Sequence, residues 1–233
     1  LSLDGAHGLV AHHFEDLEQQ RGAGTLGMWV FLASEVLFFG GLFCAYTVMR
    51  WRDPEAFALA SRQLDAVLGG VNTAILLTSS FTMALAVWAA QVKRRDLLRL
   101  FLGLTLLFGG VFLVIKAFEW RTEYNHHLVP GPGFARPDAS GHRHLHLAPG
   151  EELPPGRLDG LQMAMIFYFV ITGLHALHMV IGLAVLGVHL WFSYRWPGFG
   201  VDDYTPVELA GLYWHFVDVV WIFVFPILYL LRA

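Results

Sequence analysis

LGMWVFLASEVLFFGGLFCAYTV, residues 26–48, decides the fold: one charged side chain, Glu35, stands in 23 otherwise mostly apolar positions. A helix that crosses a bilayer needs about 20 mainly apolar residues, so this run is long enough to span. Four more runs of the same kind lie at 68–90, 97–117, 162–192 and 207–231. The fourth exceeds the thickness of the hydrocarbon core, which calls for tilt or a protruding end. The expectation is an all-α, multi-pass integral membrane protein with five transmembrane helices, its membrane domain covering 26–231. A short N-terminal segment, 1–25, precedes it.

Composition agrees. Of 233 residues 56% are hydrophobic and 15% charged, against roughly 25% charged in soluble domains, which argues against a soluble enzyme. The formal charge of -4 gives no basis for nucleic-acid binding. A single cysteine, Cys44, excludes an internal disulfide and a paired-cysteine zinc site, and reads as a small packing residue.

Residues 1–25 include His12, His13, Glu15, Asp16 and Glu18 without an apolar centre, so they read as a short surface helix with Phe14 and Leu17 on one face, not as a cleavable signal. Asp53-Pro54 breaks the first connection. Lys93, Arg94, Arg95 and Asp96 mark a very tight second one, and dense basic charge in a short loop favours the cytoplasmic side. That places the N-terminus inside, and the C-terminus and the 121–161 loop outside. This loop carries Arg121, Arg136, Arg143 and Arg157 among acids, and is rich in Pro, Gly and His. Alternating His142, His144 and His146 read as loop composition ahead of metal capture.

Ionisable groups within the spans carry the chemistry, because a charge near mid-bilayer costs at least about 2.5–3.5 kcal/mol. Glu35 lies roughly 14 Å into its helix and needs a partner or a proton. It can handle protons or simply bond across a helix interface. On the last span His215 and Asp218 are three apart, on adjacent turns of one face; His175 and His178 have the same spacing on the fourth, beside Gly173 and Gly182. Three histidines and an aspartate could hold a metal or haem, and interhelical hydrogen bonding is the simpler reading. Lys116 and Glu119 close the third span at a spacing suited to a solvated pair near the aqueous boundary. Glu208, two residues after Pro206, suits the positive end of the last helix. Asn72 reads as a satisfied polar contact. The glycine pairs Gly40-Gly41, Gly69-Gly70 and Gly109-Gly110 permit close helix packing. Trp51, Trp120, Trp191 and Trp196 fit headgroup depth. Arg50, Arg52, Arg94, Arg95 and Arg195 could hold anionic lipid phosphates or snorkel as ordinary helix-end residues.

Three strings carry a resemblance: GMWVFLASEVLFF at 27–39, TGLHALH at 172–178 with Gly182, and YWHFVDVVW at 213–221. Together they resemble subunit III of the haem-copper terminal oxidases, the cytochrome c oxidase family, in its bacterial five-helix form. Lys116, Glu119, Trp120 and Glu208 are similar to further family positions. The resemblance implies an accessory, non-redox subunit of a bacterial cytoplasmic-membrane complex that reduces oxygen to water and pumps protons. Haem and copper would sit in partner subunits, none on this chain. Subunits I and II would be the neighbours, with tightly bound phospholipid, and cytochrome c would dock elsewhere. Glu35 would help sustain proton uptake by subunit I. Lys116, Glu119, His175, His178, Glu208, His215, Asp218 and Trp221 would be structural polar or lipid-cleft residues. A quinol oxidase subunit or a nitric-oxide-reductase accessory protein is the nearest alternative; an autonomous proton or metal carrier is one from another class.

Overall fold

Asp16 accepts a hydrogen bond from the Gln19 amide at 2.7 Å, capping helix α1, Leu17–Arg52. The computed structural model describes residues 16–135, 145, 157–196 and 198–231. The surface-helix position Phe14 and the loop histidines His142, His144 and His146 lie outside the described residues. After α1 come α2 (Pro54–Gln63), α3 (Ala66–Gln91), α4 (Arg95–Asn125), α5 (Arg157–Arg195) and α6 (Thr205–Phe225), closed by a π-helical turn, Pro226–Leu230. Helices α1, α3, α4, α5 and α6 are each long and apolar enough to cross a membrane. At 1.5 Å per residue the 39 residues of α5 reach about 58 Å, well beyond a hydrocarbon core of about 30 Å.

The helices run past the apolar stretches. α1 begins nine residues before Leu26, and α4 continues two turns beyond Ala117 to Asn125. Helix α2 was not legible as a span because it is only 10 residues long. Asp53 ends α1 and starts α2, its carboxylate accepting from the Ala56 amide at 3.2 Å, with Pro54 in the first turn where no N–H is needed. Phe57 is 1% exposed and meets Tyr46 edge-on at 5.1 Å. Glu55 pairs with Arg157, and the start of α5 comes so close that a Cβ on Gly160 would lie 2.3 Å from an Asp53 carboxylate oxygen.

Helices α3 and α4 form a hairpin across a turn in which Lys93 takes φ 58°, confirming the tight second connection. Ser79, Thr82 and Thr105 bond across it, Ser79 Oγ donating to the Thr105 carbonyl at 3.2 Å. Helix α6 packs against α3 and α5, and α1 lies on α5 and α6. Half of the α6 span window is buried against 11% for α1, so α6 is the central helix and α1 the peripheral one.

Lipid tails are as apolar as leucine, so contact between membrane helices depends on close packing. Trp214 of α6 provides it, fully buried between two notches. A Cβ on Gly109 would lie 2.7 Å from its ring, and one on Gly182 2.9 Å; its Nε1 donates to Ser79 Oγ at 3.2 Å. Gly69 likewise receives the Phe225 ring. The glycine expectation holds for one member of two pairs only. At Gly40, Gly41, Gly110 and Gly173 a Cβ would meet nothing within 4 Å, so no neighbouring helix presses on these positions.

Candidate functional site

Glu35 and His178 meet where α1 lies against α5. Glu35 Oε2 is 3.1 Å from His178 Nε2, with side-chain exposures of 19% and 13%. His178 Nδ1 lies 2.8 Å from the Leu174 carbonyl, which only accepts, so Nδ1 carries a proton. Nε2 then holds its contact with Glu35 in two ways: imidazolium to carboxylate, or imidazole accepting from a carboxylic acid. Either arrangement lets the pair hold a proton between them without a net charge. Phe39 meets the imidazole edge-on at 5.2 Å, and Tyr213 Oη donates to the His178 carbonyl at 3.1 Å. Beside the pair an apolar groove of about 220 Å³ runs between α1 and α6, lined by Val36, Phe39, Gly40, Phe43, Phe216 and Phe223 among others.

The equal spacing of the histidine pair predicts a shared face, but the two rings turn to different neighbours. His175 is 1% exposed and sits between Phe112, at 5.5 Å, and Trp221, at 5.1 Å. Neither of its ring nitrogens finds a hydrogen-bond partner. His215 bonds Ser80 Oγ through Nδ1 at 2.8 Å, joining α6 to α3. Asp218 is 2% exposed beside the same Ser80, with neither carboxylate oxygen in a well-formed hydrogen bond. Trp221 donates to Thr73 Oγ1 at 3.0 Å. Asn72 donates to the Phe112 carbonyl at 3.4 Å while its buried Oδ1 finds no partner, so it is only half satisfied; Glu208 stands in the first turn of α6, as the sequence leads one to expect. Cys44 is exposed on α1, which corrects its reading as a packing residue: it faces outward from the peripheral helix. Among the described residues no three His, Cys, Asp or Glu side chains converge as a metal site.

Lys116 and Glu119 correct a second expectation. They are not solvated: their side chains are 2% and 4% exposed and 3.2 Å apart. The reason is that α4 continues past them and α5 and the terminal turn cover them. Lys116 Nζ donates to Tyr168 Oη at 3.1 Å and Tyr229 Oη at 2.5 Å, so with Glu119 all three ammonium protons have acceptors. Both tyrosine hydroxyls donate hydrogen bonds to Glu119 Oε1, at 2.8 Å and 2.5 Å. The rings of Tyr168, Trp221 and Tyr229 surround the ammonium at 4.7, 5.3 and 5.2 Å, in cation–π range. Glu123, one turn on, is 3% exposed with Oε2 lacking a partner. Tyr168 and Tyr229 went unread in the sequence. The signal available was physical: a buried ion pair requires further hydrogen bonds to satisfy it.

The arrangement thus offers one carboxyl–imidazole pair at the periphery and one buried ion-pair network in the interior. Comparison with known proteins agrees with the resemblance. The family described as cytochrome c oxidase subunit III matches residues 159–232. Cytochrome c oxidase subunit 3 of Thermostichus vulcanus is 34% identical over 89% of this chain and 87% of its own length. Cytochrome bo(3) ubiquinol oxidase subunit 3 of Pseudomonas aeruginosa is 28% identical over 96% and 92%. A haem-copper oxidase subunit I+III of Aeropyrum pernix is 33% identical over 87% of this chain and 22% of its own length. With its five apolar helices, the chain belongs to the cytochrome c oxidase subunit III family.

Proposed function

We propose that this chain is the non-redox subunit III of a respiratory cytochrome c oxidase that reduces oxygen to water and pumps protons. It stabilises the complex, holds phospholipid and supports proton uptake by subunit I. The observation that carries the reading is the 3.1 Å contact between the Glu35 carboxyl and the His178 imidazole, Glu35 standing on the least buried helix of the bundle. A pair that stays neutral overall can sit at membrane depth and pass a proton without leaving an isolated charge in lipid. Haem, copper and the cytochrome c dock belong to partner subunits, with subunit I the main contact and subunit II a second. The fused relative supports this, since its printed name joins subunits I and III. The groove between α1 and α6 suits an acyl chain. His215, Trp221 and the Lys116–Glu119 network join the helices, and His175, Asp218 and Glu208 are structural polar or lipid-cleft residues.

In this reading residues 1–25 lie on the cytoplasmic side of a bacterial inner membrane and 26–231 form the membrane domain. The C-terminus and the long loop are outside, supported by the basic turn at Lys93, Arg94 and Arg95. Replacing Glu35 by Gln in the complete oxidase tests it. Assembly and initial oxygen consumption should persist while pumped protons per electron or sustained turnover fall. Complete inactivity in a fully assembled complex would contradict the role. A second reading, subunit III of a quinol oxidase, is favoured by the ubiquinol oxidase relative. A copper-binding domain in the co-purified partner, and turnover with reduced cytochrome c, separates the two. The carrier alternative predicts proton or metal uptake by liposomes containing this chain alone.

A further inference from the structure

Arg95 and Arg99, one turn apart on α4, both reach across to α5 and close on a single atom. Arg95 Nε and Nη2 lie 3.2 and 2.8 Å from the Ser193 carbonyl oxygen, and Arg99 Nε and Nη2 lie 3.2 and 2.6 Å from the same oxygen. Four N–H donors converge on an acceptor with two lone pairs, and two like charges meet at one point. Each guanidinium is thereby fixed, with its Nη1 left on the far side of the fork. The carboxylate within reach is Asp96, 3.9 Å from Arg99 Nη1 and fully exposed, too solvated to offset two fixed cations. Lys93, Arg94 and Arg195 add exposed positive charge at the same end of the bundle.

Below the fork a recess of about 460 Å³ opens along α4, lined by Arg99, Leu100, Gly103, Leu104, Tyr194 and Asp96. Gly103 leaves its floor open, since a Cβ there would meet nothing within 4 Å. Arg99 stacks on the Tyr194 ring at 4.4 Å, and Tyr194 and Trp191 are exposed near the C-terminal end of α5, a place that suits amphipathic rings at a headgroup boundary. The recess therefore has the Arg99 guanidinium in its lining, Arg95 one turn away on the same Ser193 oxygen, and an apolar wall of Leu100 and Leu104.

We propose that this recess is a binding site for one anionic phospholipid, its phosphate held by Arg95 and Arg99 and an acyl chain laid over Gly103 and Leu104. A planar fork presenting fixed N–H groups recognises phosphate in a way that a mobile lysine does not. The net positive surroundings select an anionic headgroup over a zwitterionic one. The site rests on the phospholipid-holding part of the proposed function and gives it a place on the α4–α5 face, away from the Glu35–His178 pair on α1, so it does not depend on the role proposed for that pair.

The test uses the purified complete oxidase complex in mixed micelles with phosphatidylglycerol or phosphatidylcholine, and native mass spectrometry to count retained lipid. The wild-type complex should hold one phosphatidylglycerol that the Arg95→Gln/Arg99→Gln complex holds roughly 30-fold less tightly, at about a five- to sixfold loss per basic residue near the surface. Gly103→Leu fills the recess without touching the arginines and should weaken retention in the same direction. Millimolar inorganic phosphate should leave the lipid bound; displacement by phosphate alone would mean that the fork takes a free anion, and would overturn the lipid assignment. Equal retention of phosphatidylcholine, or unchanged phosphatidylglycerol retention in Gly103→Leu, would also overturn it. If the double arginine variant fails to assemble, the Gly103→Leu result decides.

Discussion

Replacing Lys116 by Met removes the ammonium from a network that has no other cation among its described hydrogen-bonding partners. Glu119, 4% exposed, keeps two tyrosine hydroxyls but loses its counter-charge, and Tyr168 and Tyr229 lose a donor. If the contacts were worth only what ordinary hydrogen bonds are worth in a membrane protein, about 0.6 kcal/mol each, three of them would cost roughly 2 kcal/mol. Leaving a buried carboxylate without its cation costs more, about 3–5 kcal/mol. The second variant that separates the two is Lys116→Met with Glu119→Gln. A neutral amide oxygen can still accept from both tyrosines, so more than half of the loss should return. The assay is the fraction of this subunit retained in the oxidase during graded denaturation in detergent. A loss below about 1 kcal/mol for Lys116→Met, or a double variant as unstable as the single, would refute the claim that the pair is a charge-balanced unit.

Two further predictions follow from contacts of known distance. Gly109→Ala sets a methyl 2.7 Å from the Trp214 ring and should destabilise the bundle by about 1–3 kcal/mol through overpacking, whereas Gly110→Ala, which meets nothing within 4 Å, should be near neutral; thermal unfolding of the complex compares them, and equal effects would count against the packing account. His178→Phe keeps an aromatic ring beside Phe39 but removes the partner of Glu35, so it should lower sustained proton pumping as Glu35→Gln does, with no added loss in the double variant. Additive losses in a proton-to-electron measurement would show that the two residues act separately.

The five spans were legible because lipid imposes a length and a composition that each run satisfies independently of the others. Helix α2 was not, since ten residues with Phe57 and Leu59 on the buried side make no span and depend on α5 and Tyr46 for their packing. Lys116 and Glu119 were placed at a water boundary because the apolar run stops at Ala117. What buries them is a tyrosine 52 positions away and another 113 positions away, which no local spacing reveals. Glu35 shows the same limit. Its need for a partner follows from its depth in the helix, but the choice of His178 over His175 is made by how α1 lies on α5, across 143 residues of sequence.

The central claim is that this subunit supports an oxygen-reducing complex without holding its redox centres. It is tested most directly by purifying the oxidase with and without this chain, and measuring haem and copper per complex together with oxygen consumption over successive turnovers. The account predicts unchanged haem and copper and a preserved initial rate, with activity falling as turnover continues in the depleted complex. Loss of haem or copper in proportion to the loss of this chain would contradict it.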